Sequence, residues 1–262
     1  MLAEKYFPKK SSRYNSISKL FKNLDWINTL KIERWFGLWI MVLAGSNVSI
    51  HQINRWSYWD WSTFNFLILG ILVLITILIS IKPNFLQRIN SFSSGINMFF
   101  KGFLLFTCGT IPFGFGFNTF VLGIPYFIYF IVAHLTWSIV PDNDDKTIPL
   151  KKDTASILTS ISLFTLICSL LGYLNDDPVI STIAAIYILF PVVILFFPPA
   201  IRHIQRARMH VIFIPAMFIS ISFPWFLFLV LPLFWILRYY NYFKYGEVKP
   251  SFKVDLPTDM NH

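Results

Sequence analysis

Three groups of residues in this 262-residue chain have the types and spacing to do chemistry. The first is Ser46, Asn47, Ser49 and His51, four polar side chains inside an otherwise apolar run. Hydroxyls, a carboxamide and an imidazole so close together can line a polar cavity. The second is His134, an isolated ionisable group within a longer apolar run; in a membrane such a group could ligate a cofactor or relay a proton. The third is Arg202, His203, Arg206, Arg208 and His210. Guanidinium groups grip phosphate, and Asp142, Asp144 and Asp145 could hold Mg²⁺ against it.

Each group also has a plainer explanation, which is preferred. Gly45 and Ser49 are a small-xxx-small pair of the kind that lets helices approach, and Asn47 would then bond across helices. Ser156 with Ser160, and Ser181 with Ala185, repeat that spacing. His134 fits a neutral imidazole bonded to a hydroxyl on a neighbouring helix, since no second histidine lies at a matching depth. Basic loops orient membrane proteins, and aspartates cap turns. Ser46, Asn47, His51 and His134 stand as candidate polar intramembrane residues, and Arg202, Arg206 and Arg208 as a candidate site for anionic lipid.

Motifs of membrane enzymes are missing. There is no H-E-x-x-H, G-x-S-x-G or P-loop, no pair of adjacent glutamates, no N-D-x-x-D, and too few histidines for His boxes. The last apolar run has no Lys to anchor a retinal. Cys108 and Cys168 are isolated and read as small buried hydrophobes. No catalytic residue, metal or cofactor is therefore expected. Trp56-Ser57-Tyr58-Trp59-Asp60-Trp61 resembles, over six residues, the Trp-rich loop of the heme-handling membrane proteins of cytochrome c assembly. That resemblance implies two flanking histidines on one membrane face. Only His51 is in place, and an interfacial aromatic belt accounts better for the cluster.

What must position these residues is a bundle of membrane helices. Hydrophobic residues make up 55% of the chain and charged ones only 13%, about half the share in a soluble domain. The expected fold is an all-α polytopic integral membrane protein with about seven apolar segments. These are 35–53, 64–81, a third starting at Gly102, after Lys101, and ending near the Gly-Phe-Gly-Phe-Asn turn at Gly114–Asn118, then 119–140, 154–174, 179–200 and 211–237. Residues 1–34 form a basic segment in which Ser16–Arg34 reads as an amphipathic helix lying in the membrane interface, with Ile17, Leu20, Phe21, Leu24, Ile27 and Leu30 on its apolar stripe. Residues 35–238 form one transmembrane domain, and 239–262 a polar tail. The first span is expected to stay uncleaved, because no A-x-A-like site follows it.

The net charge of +9 follows the topology and does not point to nucleic acid. With the amino terminus inside, seventeen Lys and Arg fall on inner segments before the tail, and Arg55 is the single one on outer loops. The run 211–237 is too long for one perpendicular crossing and too short for two, and Pro215, Pro224 and Pro232 divide it. If it is broken or re-entrant, the four bases of the tail join the inner side. A single tilted span would put them outside.

The localisation expected is a bacterial inner membrane or a thylakoid-type or organellar one, with the amino terminus cytoplasmic. The expected partners are the bilayer, anionic headgroups, and a protein partner or a second copy. The expected role is an accessory, assembly or structural subunit of a membrane complex. The alternative is a small transporter or lipid-handling protein, and a lipid-modifying enzyme is the weakest of the three.

Overall fold

A computed structural model describes residues 2–24, 33–53, 63–81, 92–139 and 150–246. Among them every regular element is a helix. In chain order these are α1 (Leu2–Tyr6), α2 (Ser12–Lys22), α3 (Glu33–Ile53), α4 (Thr63–Ile81), α5 (Phe92–Thr110), α6 (Phe117–Ser138), α7 (Lys152–Leu174), α8 (Pro178–Tyr187) and α9 (Leu189–Phe196). A 3₁₀ turn at Pro198–His203 leads to α10 (Ile204–Ile219) and α11 (Pro224–Tyr245). Among the described residues four stretches are long and apolar enough to cross a membrane: Phe117–Ser138, Lys152–Leu174, Pro178–Phe196 and Pro224–Tyr245. Phe66–Ile79 and Ala207–Ile219 are apolar but shorter. Four qualifying helices fit an integral membrane protein and fall short of the seven segments expected.

Two boundaries move. The third segment does not begin after Lys101: α5 starts at Phe92, so Lys101 stands mid-helix, half-buried. A lysine with an apolar stem can occupy such a position by reaching along the helix to a wetter level. The last apolar run is two helices. α10 ends at Ile219, residues 220–223 turn, and Pro224 occupies the first turn of α11, where its missing N–H costs nothing.

The core is organised around α3, whose residues from Leu38 to Ser49 are all buried. It packs directly on α5, and glycine makes that possible. A Cβ on Gly45 would overlap the Phe106 carbonyl, and one on Gly109 would overlap that of Val42. Ser46 Oγ donates to the Gly109 carbonyl at 2.8 Å across this contact. α4 lies outside the pair. Leu67, Val73, Leu74, Ile77 and Leu78 are exposed, and the Trp39 indole donates to Thr76 Oγ1 at 2.7 Å. α7 and α8 meet closely at Gly172, where Ser169 and Ser181 exchange bonds to each other's carbonyl at 3.2 and 3.1 Å.

The amino-terminal segment straps the far end of α11. Ser11 caps α2 by accepting from Tyr14 N–H at 3.1 Å. Tyr14, Ile17 and Phe21 then pack on Tyr239, Tyr242 and Phe243. Tyr242 Oη donates to the Phe7 carbonyl at 2.6 Å, and Tyr240 Oη to the Leu24 carbonyl at 3.0 Å. The helix is therefore displaced from the expected Ser16–Arg34. Ile17 and Phe21 are spent on α11 rather than on lipid, while Leu20 faces outward. Ile27 and Leu30 lie outside the described residues, as do the Trp56–Trp61 cluster, Asp142–Asp145 and the tail beyond Gly246.

Candidate functional site

The polar residues of α3 part company by one helical turn. Ser46 and Ser49 bond to backbone carbonyls of α5 and of their own helix, and serve packing. Asn47 and His51, four positions apart on one face, point the other way, toward α6, the α7–α8 turn and the broken run.

That turn is built by its own sequence. Asn175-Asp176-Asp177-Pro178 ends α7 and starts α8 without a spare residue. Asp177 N–H donates to the Gly172 carbonyl at 2.8 Å, closing the end of α7 around Asp176, which is left-handed (φ 54°). The Asp177 carboxylate then caps α8: Oδ1 accepts from the N–H groups of Val179 and Ile180 at 3.0 and 3.2 Å. Oδ2 accepts from the Tyr126 hydroxyl of α6 at 2.7 Å. Burial pushes the Asp177 carboxyl above the usual carboxylate range. The Tyr126 bond, the two backbone N–H groups and the nearby His51 imidazole pull in the opposite direction.

Asn47 Oδ1 accepts from Ser222 Oγ at 2.6 Å, in the turn between α10 and α11, and the Asn47 amide lies beside the Tyr126 hydroxyl. Four separate segments thus converge: α3, α6, the α7–α8 turn and the broken run. Beside them opens a cavity of about 210 Å³, lined by Val48, His51, Gln52, Leu122 and residues 175–179. It is smaller than the roughly 300–1,000 Å³ that holds a drug-sized ligand, so it suits a solute of few heavy atoms. Gln52 is held at the rim by Thr119, with Nε2 donating to Oγ1 at 3.3 Å. The cavity lies at the end of α3 remote from the strap.

No protein-family model, curated protein or solved structure matches this chain. The site must be judged on its own groups. Among the described residues no three His, Cys, Asp or Glu side chains come together as a metal would need.

The remaining candidates lie apart from this cavity. His134 sits on α6 against the Phe130 ring, with centroids 4.6 Å apart. Arg208 is fully buried: its guanidinium donates to the Ile139 carbonyl, at the C-terminal end of α6, and lies 5.7 Å from the Trp137 ring. A cation at a helix C-terminus is favourably placed, but this one does not face a headgroup. The side chains of Arg202 and Arg206 lie outside the described ones. Near Arg208, the Tyr187 hydroxyl is 2.8 Å from Thr136 Oγ1. Since Thr136 already donates to the Val132 carbonyl, Tyr187 is the donor of that bond.

Tyr126, Asp177 and Ser222 were not among the residues singled out from sequence. For Asp177 the signal was available: Asp followed by Pro is the signature of an N-cap with proline in the first turn.

Proposed function

We propose that this chain is a small membrane transporter that binds a compact polar solute in the cavity between α3, α6 and the α7–α8 turn. The observation that carries this is the Ser222–Asn47 bond, which ties the break between α10 and α11 to α3 one turn before His51, a residue of the cavity wall. A helix interrupted inside a membrane protein is tolerated where it is buried in protein or lines a cavity, and transporters place solute sites near such breaks. His51 and Asp177 supply an imidazole and a carboxylate, so the solute carries hydrogen-bonding or ionisable groups.

With this goes a topology of seven apolar segments, the last (α10 and α11) re-entrant, in a bacterial inner or thylakoid-type or organellar membrane. The strap supports placing the amino-terminal segment and the end of α11 on one side. That side is cytoplasmic by the charge rule, with twenty bases against Arg55 alone once Lys101, within α5, is set aside. A reporter fused after His262 that is active only on the outer side refutes this topology.

The test of function is a thermal-shift screen of the purified protein against small amines, amino acids and hydroxy acids. A solute that raises Tm in the wild type but not in Asp177→Asn supports the proposal. A screen without any stabilising solute, together with a stoichiometric protein partner in mild-detergent purification, replaces it with the accessory-subunit role.

A further inference from the structure

We propose that the amino-terminal strap is a docking surface for the anionic headgroups of the bilayer that holds the protein. This does not rest on the transporter assignment. The contact between α2 and α11 fixes which way α2 faces. Tyr14, Ile17 and Phe21 are turned onto Tyr242 and Phe243, so the opposite side of the segment looks away from the bundle. Along the strap Lys5, Lys9, Lys10, Arg13, Lys19 and Lys22 are all exposed, and Glu4 is the single acid among residues 2–24.

The level of the strap relative to lipid is set by α11. Phe228, Trp235 and Ile236 are exposed apolar groups that suit acyl chains. Tyr239 follows, half-buried, at the level where such exposed apolar groups stop, and Tyr240 and Tyr242 are buried beneath the strap. The strap is bonded to Tyr242 and Tyr240 through the Phe7 and Leu24 carbonyls, just past the exposed Trp235 and Ile236, which puts its bases at headgroup height. Leu20 and Tyr6, 71% and 64% exposed, add apolar groups on a basic segment, as in helices that lie in the interface. The charge match therefore favours an anionic lipid surface. Such a site is separate from Arg202, Arg206 and Arg208, of which Arg208 is buried, and lies where the charged side chains are exposed.

The experiment is hydrogen exchange of residues 12–22 in the full-length protein, in nanodiscs of phosphatidylcholine alone or with one-third phosphatidylglycerol. The expected result is exchange about tenfold slower in the anionic discs, because each base near such a surface is attracted to it. That difference should vanish in 1 M salt, where the screening length is about 3 Å. Replacing Lys9, Lys10, Arg13, Lys19 and Lys22 together by Gln should erase the lipid dependence. Tyr242→Phe loosens the strap itself and should speed exchange in both lipids while keeping their ratio. Equal exchange of the wild type in the two lipids overturns the proposal, as does a lipid dependence that survives the five Gln replacements.

Discussion

The molecule has two buried polar clusters on α6, built from similar parts and put to different use. Toward one end, Tyr126 donates to Asp177 next to Asn47 and His51. Toward the other, Arg208 bonds the Ile139 carbonyl near Trp137, Tyr187 and Thr136. Each has a charged side chain, a tyrosine hydroxyl and a helix end to satisfy. The first borders a cavity of about 210 Å³ and joins four chain segments at the break in the last run. Arg208 and Tyr187 are outside the lining of that cavity, and their bonds close α6 onto α8 and α10. Burial and charge therefore do not by themselves mark a site in this fold. The space beside them does.

The largest expected effect lies in the closed cluster. Arg208→Ala strips the bond from the Ile139 carbonyl and leaves a hole, costing about 3 kcal/mol. The midpoint of unfolding in detergent should fall sharply, with solute binding retained by the protein that remains folded. Loss of binding at unchanged stability would make Arg208 part of the site and break the comparison.

Asp177→Ala is expected to cost less, about 1–2 kcal/mol, for the lost cap of α8 and the Tyr126 bond. Asp177→Asn keeps the cap, since Asn serves there as well as Asp, and so should abolish binding at nearly unchanged stability.

That same pair gives a pH test. Burial raises the Asp177 carboxyl in the folded protein. Its contribution to stability is therefore present below the ordinary carboxylate pKa of about 4 and is lost as pH rises through the higher folded value. The Tm of the wild type relative to Asp177→Asn should fall as pH rises from about 4 through the raised folded value. A constant difference would show that burial does not control this group.

The smallest effects sharpen the contrast most. Ser222→Ala and Tyr187→Phe each delete one buried hydrogen bond, and each should cost about 1 kcal/mol. Only Ser222→Ala, at the turn of the broken run, should change the rate of solute binding, measured by stopped-flow quenching of tryptophan fluorescence.

Much of the fold is written in local pattern. The turn at Gly114, the caps and prolines of α8 and α11, and the break before Pro224 all follow from residue types whose backbone preferences are strong. The site is legible only in part. Asn47 and His51 stand out because polarity in an apolar run is conspicuous. Tyr126 and Ser222 do not, because their partners are 51 and 175 positions away. Nothing local distinguishes a tyrosine that will meet an aspartate from one that will meet lipid. The amphipathic stripe of α2 misleads for the same reason: periodicity shows that Ile17 and Phe21 seek an apolar surface, but not that α11 supplies it. Lys101 misleads by its charge, which looks like the end of a span although its helix runs on in both directions.

The contact of Gly45 with Phe106 and of Gly109 with Val42 has a consequence for how the chain is made. α3 and α5 touch backbone to backbone, yet α4 is synthesised between them and ends outside. While α4 emerges, the groove on α3 shaped by Gly45 and Ser46 has no partner. It must be kept open until a helix some forty residues later in the chain arrives to fill it. Assembly is thus out of step with translation at the centre of the molecule, and the order of packing is set by which helix fits the groove rather than by which is born next.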